Sequence, residues 1–262
     1  MGSPYSQDRA RIRMEWGPVG AAHTAPSAEF AVVVDVLSFT TTLSVALDRR
    51  VEVFPYRWRD ESAAVYAASQ DATLAVGRLE ARRSDHQHGR RSVSLSPDSI
   101  RQAGELTRLV LPSPNGSTIS FGLADAGVRV LGASLRNRTA VAEWLAAQLG
   151  TRHDAAVTVI AAGERWPDGS LRPAVEDLWG AGAVIDALHG RGLDDLSPEA
   201  QTAAASFRSV QSVLAEKLMR CSSGRELDEA TFGAEIAVAA ELDQSDCVPM
   251  LVDGRFIDAT KP

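Results

Sequence analysis

Phe30-Ala-Val-Val-Val-Asp35 is the stretch that decides the fold: five apolar residues with no polar alternation, closed by a carboxylate. A run of this length and kind belongs to a strand buried on both faces of a parallel sheet. Working outward, short β-branched or aliphatic runs recur at 51–54, 73–76, 108–111, 128–131 and 156–160. Helical patterns lie between several of them, at 40–48, 60–69, 117–126 and 139–148. The alternation predicts an α/β layered fold with a largely parallel sheet and helices on both faces. The C-terminal third reads as helix-rich, with patterns at 173–188, 198–219 and 229–242. It ends in two short apolar runs around Asp253-Gly254, a dipeptide that suits the positive φ angles of a type I′ hairpin. No linker or internal repeat divides the chain. The expectation is an N-terminal extension over residues 1–29 and one domain, of one or two lobes, over 30–262.

Length and composition exclude several classes. The chain has 262 residues, 45% of them hydrophobic, enough to bury a sizeable core without staples. Its 27 basic and 34 acidic residues leave a net charge of −7, which offers no positive field to a nucleic acid. Two cysteines, Cys221 and Cys247, form neither a disulfide framework nor a zinc motif. No apolar run approaches the ~20 residues that span a bilayer. Lys217 and Lys261 are the only lysines, and such Arg- and Ala-heavy usage points to a GC-rich bacterial genome and a cytoplasmic enzyme. Residues 82–92 read as a polar surface loop, whose His86 and His88 have too few neighbouring ligands to make a metal site.

In an open α/β sheet, ligands gather beyond the carboxyl ends of strands. Four segments at such places are polar. Asp35 closes its strand, and Thr40 and Thr41 follow as caps whose neighbouring amides could face an anion. An aspartyl-phosphatase motif fails, because Leu37 occupies the position of its second aspartate. Asn115, Gly116 and Ser117 form a turn suited to phosphate oxygens, although Pro-Asn-Gly also marks an ordinary turn. Glu164 and Arg165 follow another strand, and Glu176 and Asp177 fall in the first turn of the next helix, where carboxylates are favoured. Three carboxylates near one strand end, without Cys or His, suit Mg²⁺. Ser223-Gly224-Arg225 reads as a loop able to bind an anion, with Gly224 at positive φ.

These segments, in this order, resemble the 2-phosphosulfolactate phosphatase (ComB) family. The matching residues are Val34-Asp-Val-Leu37 with Thr40-Thr-Thr42, Asn115-Gly-Ser117, Ala162-Gly-Glu-Arg165, Glu176-Asp177, Gly180-Ala-Gly182 and Ser223-Gly224. The resemblance implies a Mg²⁺-dependent phosphohydrolase acting on a small phosphorylated sulfonate or hydroxy acid. There are departures: Ser38 stands where the family carries Arg, Gly77-Arg78 where it carries Gly-Glu, and Ser113-Pro114 where it carries threonines.

The expected roles follow from the resemblance and the residue types together. Asp35, Glu164 and Arg165 are expected to be catalytic, and Asp35, Glu164, Glu176 and Asp177 to hold Mg²⁺. Thr40, Thr41, Asn115, Gly116, Ser117, Arg136, Ser223, Gly224 and Arg225 are expected to bind the substrate. Asp35 is left open as nucleophile or metal ligand. A non-catalytic anion-binding protein on the same scaffold is the competing reading. The expected partner is a small phosphorylated anion, with neither nucleic acid nor membrane; a homodimer is the one assembly left open.

Overall fold

The computed structural model describes residues 3–88, 92–150, 152 and 154–261; the side chains of His86 and His88 lie outside the described residues. Nine strands form the main sheet: β1 (Ile12–Trp16), β2 (Phe30–Val34), β3 (Glu52–Tyr56), β4 (Thr73–Leu74), β5 (Arg108–Pro112), β6 (Arg129–Ala133), β7 (Val157–Ala161), β10 (Pro249–Val252) and β11 (Arg255–Asp258). A separate two-stranded ribbon joins β8 (Glu164–Arg165) to β9 (Leu171–Arg172). The order across the main sheet is β1-β7-β2-β6-β10-β11-β3-β5-β4.

The sheet is two parallel groups around an antiparallel hairpin. β1, β7, β2 and β6 pair in parallel, as do β3, β5 and β4. The β10–β11 hairpin wedges between them, pairing antiparallel to β6 on one side and to β3 on the other. Its turn has Asp253 and Gly254 both at positive φ, as the dipeptide predicts. The helix-rich C-terminal third thus ends by stitching the two halves together.

Burial explains the unbroken apolar run of β2. Phe30, Val32 and Val34 enter one core with Ala181, Val184, Ile185 and Phe207, from the helices Val175–His189 and Pro198–Val210. Ala31 and Val33 enter the opposite core with Leu43, Leu47, Ile119 and Leu123, from the helices Phe39–Asp48 and Gly116–Asp125. Successive strand side chains alternate faces, so a strand covered on both sides has no polar position to offer.

Four local expectations are corrected. The segment before residue 30 supplies β1, which pairs with β7 from Ile12↔Val157 to Trp16↔Ala161 and is part of the sheet. Residues 82–88 are helical, within Arg78–His88, because Arg82 and Arg83 solvate an exposed helix face as readily as a loop; residues 89–91 lie outside the described residues. The 198–219 pattern is interrupted by a 3₁₀ turn at Gln211–Val213, and Ser222–Glu229 is helical where a loop was expected.

Candidate active site

Asp35 sits where the chain leaves β2, against the N-terminal ends of two helices. Its Oδ1 accepts the Phe39 amide at 3.1 Å, and its Oδ2 accepts the Gly116 amide at 3.2 Å. Helix N-termini present unpaired N–H groups and positive potential, so a carboxylate is welcome there. The following threonines brace this loop. Thr40 Oγ1 donates to the Asp35 carbonyl at 2.8 Å and accepts the Asp35 amide at 3.0 Å, while Thr41 Oγ1 donates to the Val36 carbonyl at 2.7 Å. These hydroxyls are committed to the backbone, so Thr40 and Thr41 position Asp35 and do not face a ligand.

Three chain segments close on this carboxylate. Sheet twist of roughly 20–25° between neighbouring strands accumulates across the hairpin. The loop after β5 reaches the loop after β2, with Gly116 bonded to Asp35. From beyond β7, Glu164 Oε2 accepts a hydrogen bond from Asn115 Nδ2 at 2.9 Å. Arg165 touches the other side of the same amide, its Nε lying 3.4 Å from Asn115 Oδ1. Asn115 therefore holds the two strand ends in register.

The carboxylates disturb one another. Asp35 is pushed up to about 6, chiefly by burial and further by Glu176, against the pull of the two amides and of Arg59. Glu164 is pushed up to about 7 by burial and by Asp35, with Asn115 opposing. Asp177 is raised well above the usual carboxylate range by burial, then by Asp35 and Glu176. A buried acidic group of this kind is stabilised by protons or by a cation.

Asp177 has a different task from its neighbours. Its Oδ1 accepts the Val36 amide at 2.7 Å and its Oδ2 the Gly163 amide at 2.8 Å. It ties the β2 loop to the β7 loop from behind. Glu176 is buried beside it and adds negative charge at Asp35 and Glu164.

A cleft of about 690 Å³ opens in front of this group, and Asp35, Ser38, Arg59, Arg78, Asn115, Glu164 and Ser223 are among its lining residues. Ser223 Oγ accepts a hydrogen bond from Arg172 Nη2 at 3.1 Å. Arg59 follows β3, with its charged end close enough to Asp35 and Glu164 to feel both. The sequence reading missed it, although the strand-end rule that selected Asp35 applies equally to the residues after β3.

The remaining expected ligands lie elsewhere. Arg136 is buried in a network of its own, 3.1 Å from Asp48 Oδ2, 2.9 Å from Glu241 Oε2 and 2.8 Å from Ser44 Oγ. Its charge is spent on the protein, which corrects its assignment to substrate. Ser117 is buried in its helix, and its Oγ faces the Leu111 carbonyl at 3.4 Å. Gly224 is helical without positive φ; a Cβ there would overlap the Leu218 carbonyl, so glycine is required for close packing and not for a nest. Arg225 is 70% exposed and pairs with Glu229 one turn on.

Among the described residues no three Asp, Glu, His or Cys side chains converge as a closed metal centre would. Mg²⁺ does not require that, since it is commonly held by one or two carboxylates with substrate phosphate and water. Asp35 meets this condition: it lines the cleft, lies near the carboxylates of Glu164 and Glu176 and presents only hard oxygen. The donor chemistry fits Mg²⁺ at Asp35, with Glu164 as its neighbour.

A family model described as 2-phosphosulpholactate phosphatase matches residues 19–254. A curated relative, the probable 2-phosphosulfolactate phosphatase of Cyanothece sp. (strain PCC 7425 / ATCC 29141), is 28% identical over 231 residues, covering 85% of this chain and 89% of the relative.

Proposed function

Because this chain belongs to the 2-phosphosulfolactate phosphatase family, we propose that it removes phosphate from a small 2-hydroxy acid that carries a further acidic group. Membership makes it a phosphoric monoester hydrolase. The single observation that carries the finer reading is the Asp35–Glu164 pair, raised to about 6 and about 7 in the lining of a cleft that also presents arginines.

Each residue has a task that its surroundings support. Asp35, fixed by the Phe39 and Gly116 amides, would hold Mg²⁺. When bound, the ion would offset charge on the phosphoryl oxygens. Glu164, raised to about 7, takes the proton of the attacking water at its carboxylate, in the orientation that Asn115 sets. Arg59 binds the phosphoryl oxygens as their charge redistributes toward the leaving oxygen. Asp177 keeps the two carboxylate-bearing loops at a fixed separation.

The test is phosphate release from 2-phosphosulfolactate and from an aryl phosphate without a second acid, with Mg²⁺ and with chelator. The proposal expects release that is faster with the two-headed ester and dependent on Mg²⁺. Undiminished release in chelator would remove the metal from the reading.

A further inference from the structure

We infer that Arg78, clamped by Glu235 and Ser38, grips the second acidic group of the substrate and so sets specificity for esters with two anionic ends; this rests on the phosphatase reading above. The clamp is closely defined. Arg78 Nε donates to Glu235 Oε1 and Oε2 at 2.9 and 2.8 Å. Its Nη2 lies 2.7 Å from Glu235 Oε2 and 2.6 Å from Ser38 Oγ. Ser38 is buried three residues after Asp35 and lies 3.2 Å from the Leu95 carbonyl. These contacts occupy Nε and Nη2, and Nη1 carries the fork's remaining two donors.

Stability alone is a poor explanation for this pair. The two side chains are only 18% and 4% exposed, and burying an ion pair returns little net stability once desolvation is counted. What the clamp does achieve is a fixed guanidinium on a cleft wall. An arginine already held in place loses less conformational entropy when it binds an anion.

The cleft carries both signs of charge: Asp35, Glu80, Glu164 and Glu226 line it together with Arg59, Arg78 and Arg83. Arg59 and Arg78 are near enough for their charges to oppose each other. Like charges facing one space repel unless an anion enters between them. Leu227 and Phe232 add apolar lining suited to a short carbon skeleton. A ligand with its phosphate at Asp35 and a sulfonate or carboxylate at Arg78 uses both features.

The distal acid keeps its charge throughout hydrolysis, so the Arg78 grip contributes equally to ground and transition states and acts mainly on KM. Binding of the reaction product measures it without turnover. Removing only Arg78 would strand the buried Glu235, so the informative variant is Arg78→Gln/Glu235→Gln, which keeps a hydrogen-bonded pair and no charge. Calorimetric titration would use two probes: sulfolactate, the product that dephosphorylation of 2-phosphosulfolactate leaves, and inorganic phosphate. Sulfolactate affinity should fall about tenfold or more in the double variant, with phosphate affinity changing less than about twofold. Unchanged sulfolactate affinity, an equal loss for both probes, or a wild-type protein that binds no sulfolactate would overturn the assignment. Failure of the phosphatase reading is distinguishable, since it would show as absent phosphate release whatever the titrations give.

Discussion

Gly116 donates its backbone N–H to Asp35 Oδ2 across 3.2 Å, joining the end of β2 to a helix that starts 81 residues later. The contact needs glycine. A Cβ at this position would overlap the Phe39 ring and stand 3.0 Å from the carboxylate oxygen. Gly116→Ala should therefore displace Asp35 and lower kcat/KM by about tenfold or more, at a stability cost of about 1–3 kcal/mol. Kinetics alongside a thermal melt will separate the two effects.

Asp177 should prove structural. Asn at this position keeps the shape but turns an NH₂ group toward either the Val36 or the Gly163 amide, leaving a buried donor unpaired. Asp177→Asn should cost about 1–3 kcal/mol of stability. The Mg²⁺ concentration for half-maximal activity should move little; a large rise would make Asp177 a ligand.

Stability of the chelated protein should decline with rising pH. Asp35 and Glu164 have folded values of about 6 and about 7, above their ordinary ones. Folding therefore favours their protonated forms, and the associated stability is fully present below about pH 4 and lost as pH rises through 6 and 7. In EDTA the Tm should fall between pH 5.5 and pH 8. Glu164→Gln should lessen that fall, and Mg²⁺ should raise the Tm most at the higher pH. A flat profile, identical in the variant, would contradict the account.

Two arginines should separate from the chemistry. Arg136→Met breaks the ion pairs to Asp48 and Glu241, whose side chains are partly solvated, so a loss of about 2 kcal/mol is expected with KM unchanged. Arg225→Ala removes only an exposed i,i+4 pair and should leave both stability and KM near wild type. A several-fold KM increase in either variant would place that residue in the substrate site.

Legibility in the sequence followed the range of the interactions. The apolar run of β2 and the Asp253-Gly254 turn are governed by local rules, and both appear in the structure where the residues suggest. Asp35, Asn115, Gly116 and Glu164 were visible because the ends of buried strands are few. Arg136 was misread because an arginine that binds ligand looks the same as one neutralised by Asp48 and Glu241, both far away in the chain. Ser223-Gly224-Arg225 reads as a loop because its small and polar residues suit a loop as well as a helical turn whose Ser223 and Gly224 are buried. Arg78 appeared only as a departure from the family, and its partners Ser38 and Glu235 stand 40 and 157 residues away.

The most direct test of the central claim is phosphate release from 2-phosphosulfolactate at saturating Mg²⁺, comparing the wild-type protein with Asp35→Asn. The substitution keeps the shape of the side chain and removes its charge; it turns an NH₂ group toward either the Phe39 or the Gly116 amide, a cost of about 1–3 kcal/mol that the fold should survive and a thermal melt will check. The account predicts release by the wild type and a fall in turnover of at least ~10²-fold in the variant, about 2.7 kcal/mol of transition-state stabilisation. A folded Asp35→Asn protein that releases phosphate at the wild-type rate would contradict it.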